Sequence, residues 1–119
     1  MNTAVLGASN KPDRYSYKAV RLLREKGHAP YPVHPILAQI EGIPVYPSLR
    51  AIRDPIDTVT VYLSARNQET IAEDILQSGV RRVIFNPGAE NHALAETLKK
   101  HGIEAIEACT LVMLTTGQF

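Results

Sequence analysis

The sequence predicts a doubly wound α/β domain, a mostly parallel sheet with helices on both faces. A short apolar strand, Ala4-Val5-Leu6, runs straight into the small-residue turn Gly7-Ala8-Ser9-Asn10 and then into an amphipathic helix. Three helical segments stop at Gly27, Gly79 and Gly102, where a left-handed residue is expected just past the last turn. Each of these glycines is followed within a few residues by a strand-like run, and that alternation is the pattern of a parallel sheet.

Taken in order, the first helix is expected over 16–26, with Ser16 as its N-cap and Ala19, Val20, Leu22 and Leu23 on one buried face. Ala29-Pro30-Tyr31-Pro32-Val33 reads as a short or irregular strand, because proline donates nothing to a ladder. His34 to Pro47 reads as loop with one extended piece near Val45-Tyr46, and Ser48 caps a brief helical turn. Thr58 to Leu63 is the strongest strand, rich in β-branched and aromatic residues. Asn67 is the expected cap of a helix carrying Ile71, Ala72, Ile75 and Leu76. Arg82 to Phe85 is the next strand, and Asn91 caps a helix carrying Leu94, Ala95 and Leu98. Ile103 to Ile106 forms a further strand, and Leu111 to Leu114 a short helix or strand.

Size and composition narrow the function. With 119 residues, 45% of them hydrophobic, the chain fits one compact domain. Its 13 basic and 12 acidic residues form no basic block, which argues against nucleic acid. No apolar run approaches the roughly 18 residues of a membrane span. Met1 opens almost directly onto the first strand, leaving no room for a secretory leader. A single cysteine, Cys109, excludes an internal disulfide and fits a reducing compartment. The expectation is a soluble cytoplasmic domain.

Right-handed crossovers bring the loops Gly7–Tyr17, His34–Pro35, Ser64–Asn67 and Asn86–Asn91 to one edge of the sheet, where open α/β sheets bind ligands. A strand, a tight turn and a helix N-terminus together make an anion site. The dinucleotide fingerprint G-x-G-x-x-G keeps only its first glycine here, since the positions read Gly7, Ser9 and Pro12. The acidic residue that binds the ribose hydroxyls of NAD is also missing, because the second strand ends Val33-His34-Pro35. Its absence favours a ribose that carries a phosphate, as in NADP or coenzyme A. NADP sites place an arginine at that strand end, where this chain has only His34. The nearest cations are Lys11, Arg14 and Lys18, and an arginine can hold a phosphate with two bonds.

Gly7-Ala8-Ser9, Arg14-x-Ser16-Tyr17, Val33-x-Pro35, Tyr46-Pro47-Ser48-Leu49 and the Pro87-Gly88 turn resemble the small stand-alone CoA-binding domain proteins. Those are similar to the N-terminal domain of the succinyl-CoA synthetase alpha subunit. The resemblance covers nearly the whole chain and leaves no second domain. It implies a Rossmann-type domain that holds CoA, with phosphate contacts from Ala8, Ser9, Arg14 and Ser16. Val33, His34 and Pro35 would border the adenosine, and Leu63 and Ser64 would line the pantetheine path. Gly7, Tyr17 and Pro87 complete the implied binding set. Two positions depart from the family: His34 stands where asparagine is frequent, and Ile36-Leu37 replaces a lysine shortly after the proline.

The larger synthetases depend on a phosphorylated histidine in a second domain, which this chain lacks. His28 and His101 adjoin helix-ending glycines, where a cation answers the dipole, and His92 falls in a first helical turn. His34 alone reaches the ligand edge, with no neighbouring carboxylate to orient it. No H-x-x-x-H, C-x-x-C or paired-carboxylate pattern calls for metal or hydrolytic chemistry. Cys109 follows the last strand, either as a small buried hydrophobe or as a thiol able to form a mixed disulfide with CoA under oxidation. The expected function is therefore binding of the small molecule CoA, or an acyl-CoA, without catalysis. The alternatives are an NAD(P)(H)-binding regulatory or redox-sensing domain, and a thioester enzyme whose chemistry a partner subunit supplies. Leu111 to Leu114 packs on the core or on a second copy, which leaves a homodimer or another partner protein open.

Overall fold

Along β1 (Asn2–Leu6), Ala4 and Leu6 enter one core while Val5 enters another, so the strand is covered on both faces. The computed structural model describes all residues from Met1 to Phe119. After β1 come α1 (Tyr15–Glu25), β2 (Ala29–Val33), β3 (Gln39–Ile40), β4 (Ile43–Pro44) and β5 (Thr58–Val61). Then follow α2 (Ile71–Ser78), β6 (Arg82–Phe85), α3 (His92–Lys100), β7 (Glu104–Glu107) and α4 (Thr110–Thr115). Five strands form one parallel sheet in the order β2-β1-β5-β6-β7. Ile75 of α2 and Leu94 and Leu98 of α3 fill the core on one face. Tyr17, Val20 and Leu23 of α1, with Leu114 of α4, fill the other. This is the expected doubly wound, Rossmann-like α/β domain. The chain reverses direction across the sheet between β1 and β5, and such a switch point opens a crevice at the strands' carboxyl ends. No helix is long and apolar enough to cross a membrane.

Local chemistry explains both agreement and departure. Asn91 Oδ1 accepts from the Leu94 N–H at 3.0 Å, and Ser48 Oγ accepts from the Ala51 N–H at 3.3 Å, as expected of caps. The two prolines of β2 cost the ladder nothing. The carbonyl of Pro32 accepts from the Tyr46 N–H at 2.9 Å, so this residue's backbone faces away from β1, and Pro30 shares that side. Tyr46 in turn bridges Val33 in parallel, which is the expected extended piece. The 34–47 loop also holds the small β3–β4 hairpin that the sequence did not signal. Its turn places Glu41 (φ 53°) and Gly42 (φ 76°) in the left-handed region, an uncommon conformation for glutamate.

Three other expectations need correction. Ser16 does not cap α1; Arg14 takes that position, and Ser16 is buried inside the first turn. Asn67 does not cap α2, which begins after Thr70. Asn67 instead closes a short turn over Ala65–Asn67, its Nδ2 donating to Ser64 Oγ at 3.2 Å. Gln68 imposes that break: fully buried, its Nε2 donates to the carbonyls of Leu63 and Ala89 at 2.8 and 2.7 Å. His28 does not answer the dipole of α1. Its Nδ1 lies 3.0 Å from the Met1 amine and its ring meets Phe119 at 4.9 Å. Burial, with the Met1 amine and Arg82, holds its pKa below the ordinary value. His101 does take the expected role, its Nδ1 standing 2.8 Å from the Thr97 carbonyl.

Candidate ligand-binding cleft

Beyond the end of β1, Gly7 turns the chain across the end of β5 at φ 84°. A Cβ there would stand 3.1 Å from the Leu63 side chain and 3.4 Å from its backbone nitrogen, so a larger residue would strain the turn and push on the opposite wall. Ala8 is buried and its N–H donates to the Val33 carbonyl at 3.2 Å, tying the turn to the end of β2. That N–H is committed inside the fold, so an anion would be met by the neighbouring groups. Ser9 Oγ accepts from the Lys11 N–H at 3.0 Å, and the Arg14 N–H donates to the Lys11 carbonyl at 3.0 Å.

The helix then begins uncapped. Arg14 offers no side-chain acceptor, and the backbone N–H groups of Tyr15, Ser16 and Tyr17 find none within the chain. No acidic residue stands in the first turn to offset the positive dipole end. Lys11 and Arg14 add two formal positive charges beside it, against the single carboxylate of Asp13. An anionic group is the natural partner of such an end.

The facing wall starts at His34. Its Nδ1 accepts from the N–H groups of Ile36 and Leu37 at 3.0 and 3.1 Å. This is the turn that an asparagine carbonyl oxygen makes with its own backbone, so histidine fills the place structurally. Nε2 is the ring nitrogen that these two bonds leave free.

The rest of the cleft is apolar. Leu37, Tyr62, Leu63 and Pro87 line it, and the whole encloses about 610 Å³, within the range of small-molecule sites. The Tyr62 hydroxyl is buried without a hydrogen-bond partner, and the neighbouring Thr60 and Thr110 hydroxyls pair with each other at 2.8 Å. Burial pushes its pKa up to about 12, so it stays a neutral phenol. Pro87 is fixed through Asn86, whose Nδ2 donates to Thr60 Oγ1 and the Val61 carbonyl at 2.7 and 2.9 Å. Asn86 Oδ1 accepts from the Thr110 N–H at 2.9 Å.

Of the residues read from the sequence, the cleft gathers Gly7, Ala8, Ser9, Arg14, Ser16, His34, Leu63 and Pro87. Tyr17 and Val33 are buried in the two cores beneath it, and Pro35 and Ser64 lie outside its lining. Cys109 is half-buried at the start of α4 and does not line it. Asp13, Tyr15, Leu37 and Tyr62 were missed. Tyr62 had a signal, since it directly follows β5 at a carboxyl end. No group of three His, Cys, Asp or Glu side chains is placed to hold a metal ion.

The cleft thus joins a cationic end at Lys11 and Arg14 to an apolar wall of Leu37, Tyr62, Leu63 and Pro87. Comparison with known proteins identifies the family. A family model described as a CoA binding domain matches residues 1–115. The crystal structure of an uncharacterized protein superposes with a TM-score of 0.93 at 40% identity, covering 99% of this chain and 97% of the other. The Bacillus subtilis protein YneT, also uncharacterized, is 29% identical over 83% of this chain and 73% of its own length. An ADP-forming acetate–CoA ligase of Archaeoglobus fulgidus is 27% identical over 97% of this chain, which spans only 19% of the ligase. The chain belongs to the CoA-binding domain family.

Proposed function

We propose that this chain binds coenzyme A or an acyl-CoA in the cleft and performs no chemistry on it by itself. The uncapped start of α1, flanked by Lys11 and Arg14 and facing an apolar channel, is the observation that carries the reading. The phosphates lie at the helix end, the adenosine by the His34 loop, and the pantetheine arm along Leu63 and Pro87. The lack of an acidic residue after β2 opposes an unphosphorylated ribose and so disfavours NAD. The region of the Archaeoglobus acetate–CoA ligase that this chain matches, 19% of that enzyme, supports reading the shared domain as one that holds CoA.

Native mass spectrometry with CoA and acetyl-CoA tests the proposal. The expected result is one ligand per chain, with acetyl-CoA recovered intact after prolonged incubation. Loss of the acetyl group faster than in a protein-free control would contradict the non-catalytic reading.

A further inference from the structure

β5 and β6 each run on into a loop that supplies one residue to the apolar wall of the cleft, Leu63 from the first and Pro87 from the second. The backbone ladder between these strands ends where the Asn86 N–H donates to the Val61 carbonyl at 3.3 Å. Beyond that point no backbone hydrogen bond joins residues 62–70 to residues 87–91. The side chain of Gln68 takes part in every hydrogen bond that does join them. Its Nε2 donates to the Leu63 carbonyl at 2.8 Å and to the Ala89 carbonyl at 2.7 Å, one proton to each loop. Its Oε1 accepts from Asn91 Nδ2 at 3.1 Å, while Asn91 Oδ1 caps α3 at the Leu94 N–H.

A neutral amide suits this place. Two carbonyls need two donors, and a carboxylate would offer them none. Gln68 is 1% exposed, lies outside the cleft lining and has both donors committed, so it does not itself reach a ligand. Its effect passes through the two loops that it ties. Leu63 already stands close to the Gly7 turn, where an added Cβ would lie 3.1 Å from its side chain, so a shift of its loop changes the spacing across the cleft. The cationic end, built on Lys11 and the start of α1, shares no hydrogen bond with Gln68. Resting on the CoA reading above, we propose that Gln68 is a positioning residue for the uncharged arm of the ligand. It fixes Leu63 relative to Pro87 and so sets the fit of that arm, independently of the phosphate end.

Calorimetry with CoA and with its two halves, 4′-phosphopantetheine and adenosine 3′,5′-bisphosphate, tests this. Gln68→Met keeps the length of the side chain and removes both donors. It is expected to weaken CoA and 4′-phosphopantetheine by about two- to thirty-fold, the scale of a residue that acts without touching the ligand. Adenosine 3′,5′-bisphosphate should bind as before. A merely structural role would lower the urea midpoint and leave the ratio of the two fragment affinities unchanged. Asn91→Asp keeps the acceptor that caps α3 and removes only the donor to Gln68 Oε1, so it gives the same selective loss in smaller measure should Gln68→Met not fold. Equal losses for both halves, or unchanged CoA affinity in the folded variants, would overturn the positioning role alone. No CoA binding by the unaltered chain would remove the reading it rests on as well.

Discussion

Replacing Arg14 by alanine is expected to weaken CoA binding by about 1.5–3 kcal/mol, roughly a ten- to one-hundred-and-fifty-fold rise in Kd. The guanidinium lines the cleft next to three backbone N–H groups without acceptors, and no bond within the chain engages it. Its contribution is therefore available to the ligand, and a two-bond phosphate contact is the strong form of such a contribution. Arg14→Lys keeps the charge and loses the fork, so it should fall between the two. The difference between wild type and Arg14→Ala should shrink as salt is raised, since the site is open to solvent. Folding should hardly change, because the side chain is exposed and caps nothing. Calorimetry at two salt concentrations, with urea denaturation alongside, checks all three statements. An unchanged Kd would remove Arg14 from the site.

Asn86→Ala should have the largest effect on folding, a loss of about 2–4 kcal/mol at roughly 1 kcal/mol per bond plus the cost of groups left unsatisfied. Asn86 is 2% exposed and spends both ends of its amide inside the fold. Without it the Thr110 N–H, which starts α4, loses its acceptor, and Thr60 Oγ1 loses a donor. The polypeptide of the Pro87 wall hangs from the same side chain, so ligand affinity should fall too. Asn86→Asp keeps the acceptor for Thr110 and loses two donors, which should leave it unstable as well. Urea denaturation reads the stability change directly. A midpoint shift below that of an ordinary surface substitution, about 0.5 kcal/mol, would mean that α4 is held by other contacts.

The alternation of strands and helices, and with it the parallel α/β class, was legible because the glycines at 27, 79 and 102 end helices and the intervening apolar runs are strand-like. Positive φ at each of those glycines follows the expectation. The helix starts were harder to read. Capping preference points to Ser16 and Asn67, but α1 is left uncapped where its end meets the cleft, and Gln68 delays α2 by tying the carbonyl of Leu63 to that of Ala89 across the fold. Both causes are tertiary, and neither leaves a local pattern. The β3–β4 hairpin escaped notice because its turn puts a glutamate where asparagine or glycine is the usual signal.

Within the site, the turn at Gly7, the cation at Arg14 and the loop at His34 follow from position relative to strand ends. Tyr17 and Val33 show the limit of that inference. They neighbour cleft residues in sequence, yet the helical and strand periods turn them into the two cores. Tyr15 and Tyr62 are the converse, turned into the cleft by the same periods.

The most direct measurement is calorimetric titration of the unaltered chain with CoA, NAD and NADP under one set of conditions. The account predicts saturable binding of CoA at one site per chain, with NAD and NADP binding far more weakly. Preference for either nicotinamide dinucleotide, or no binding of CoA, would contradict it.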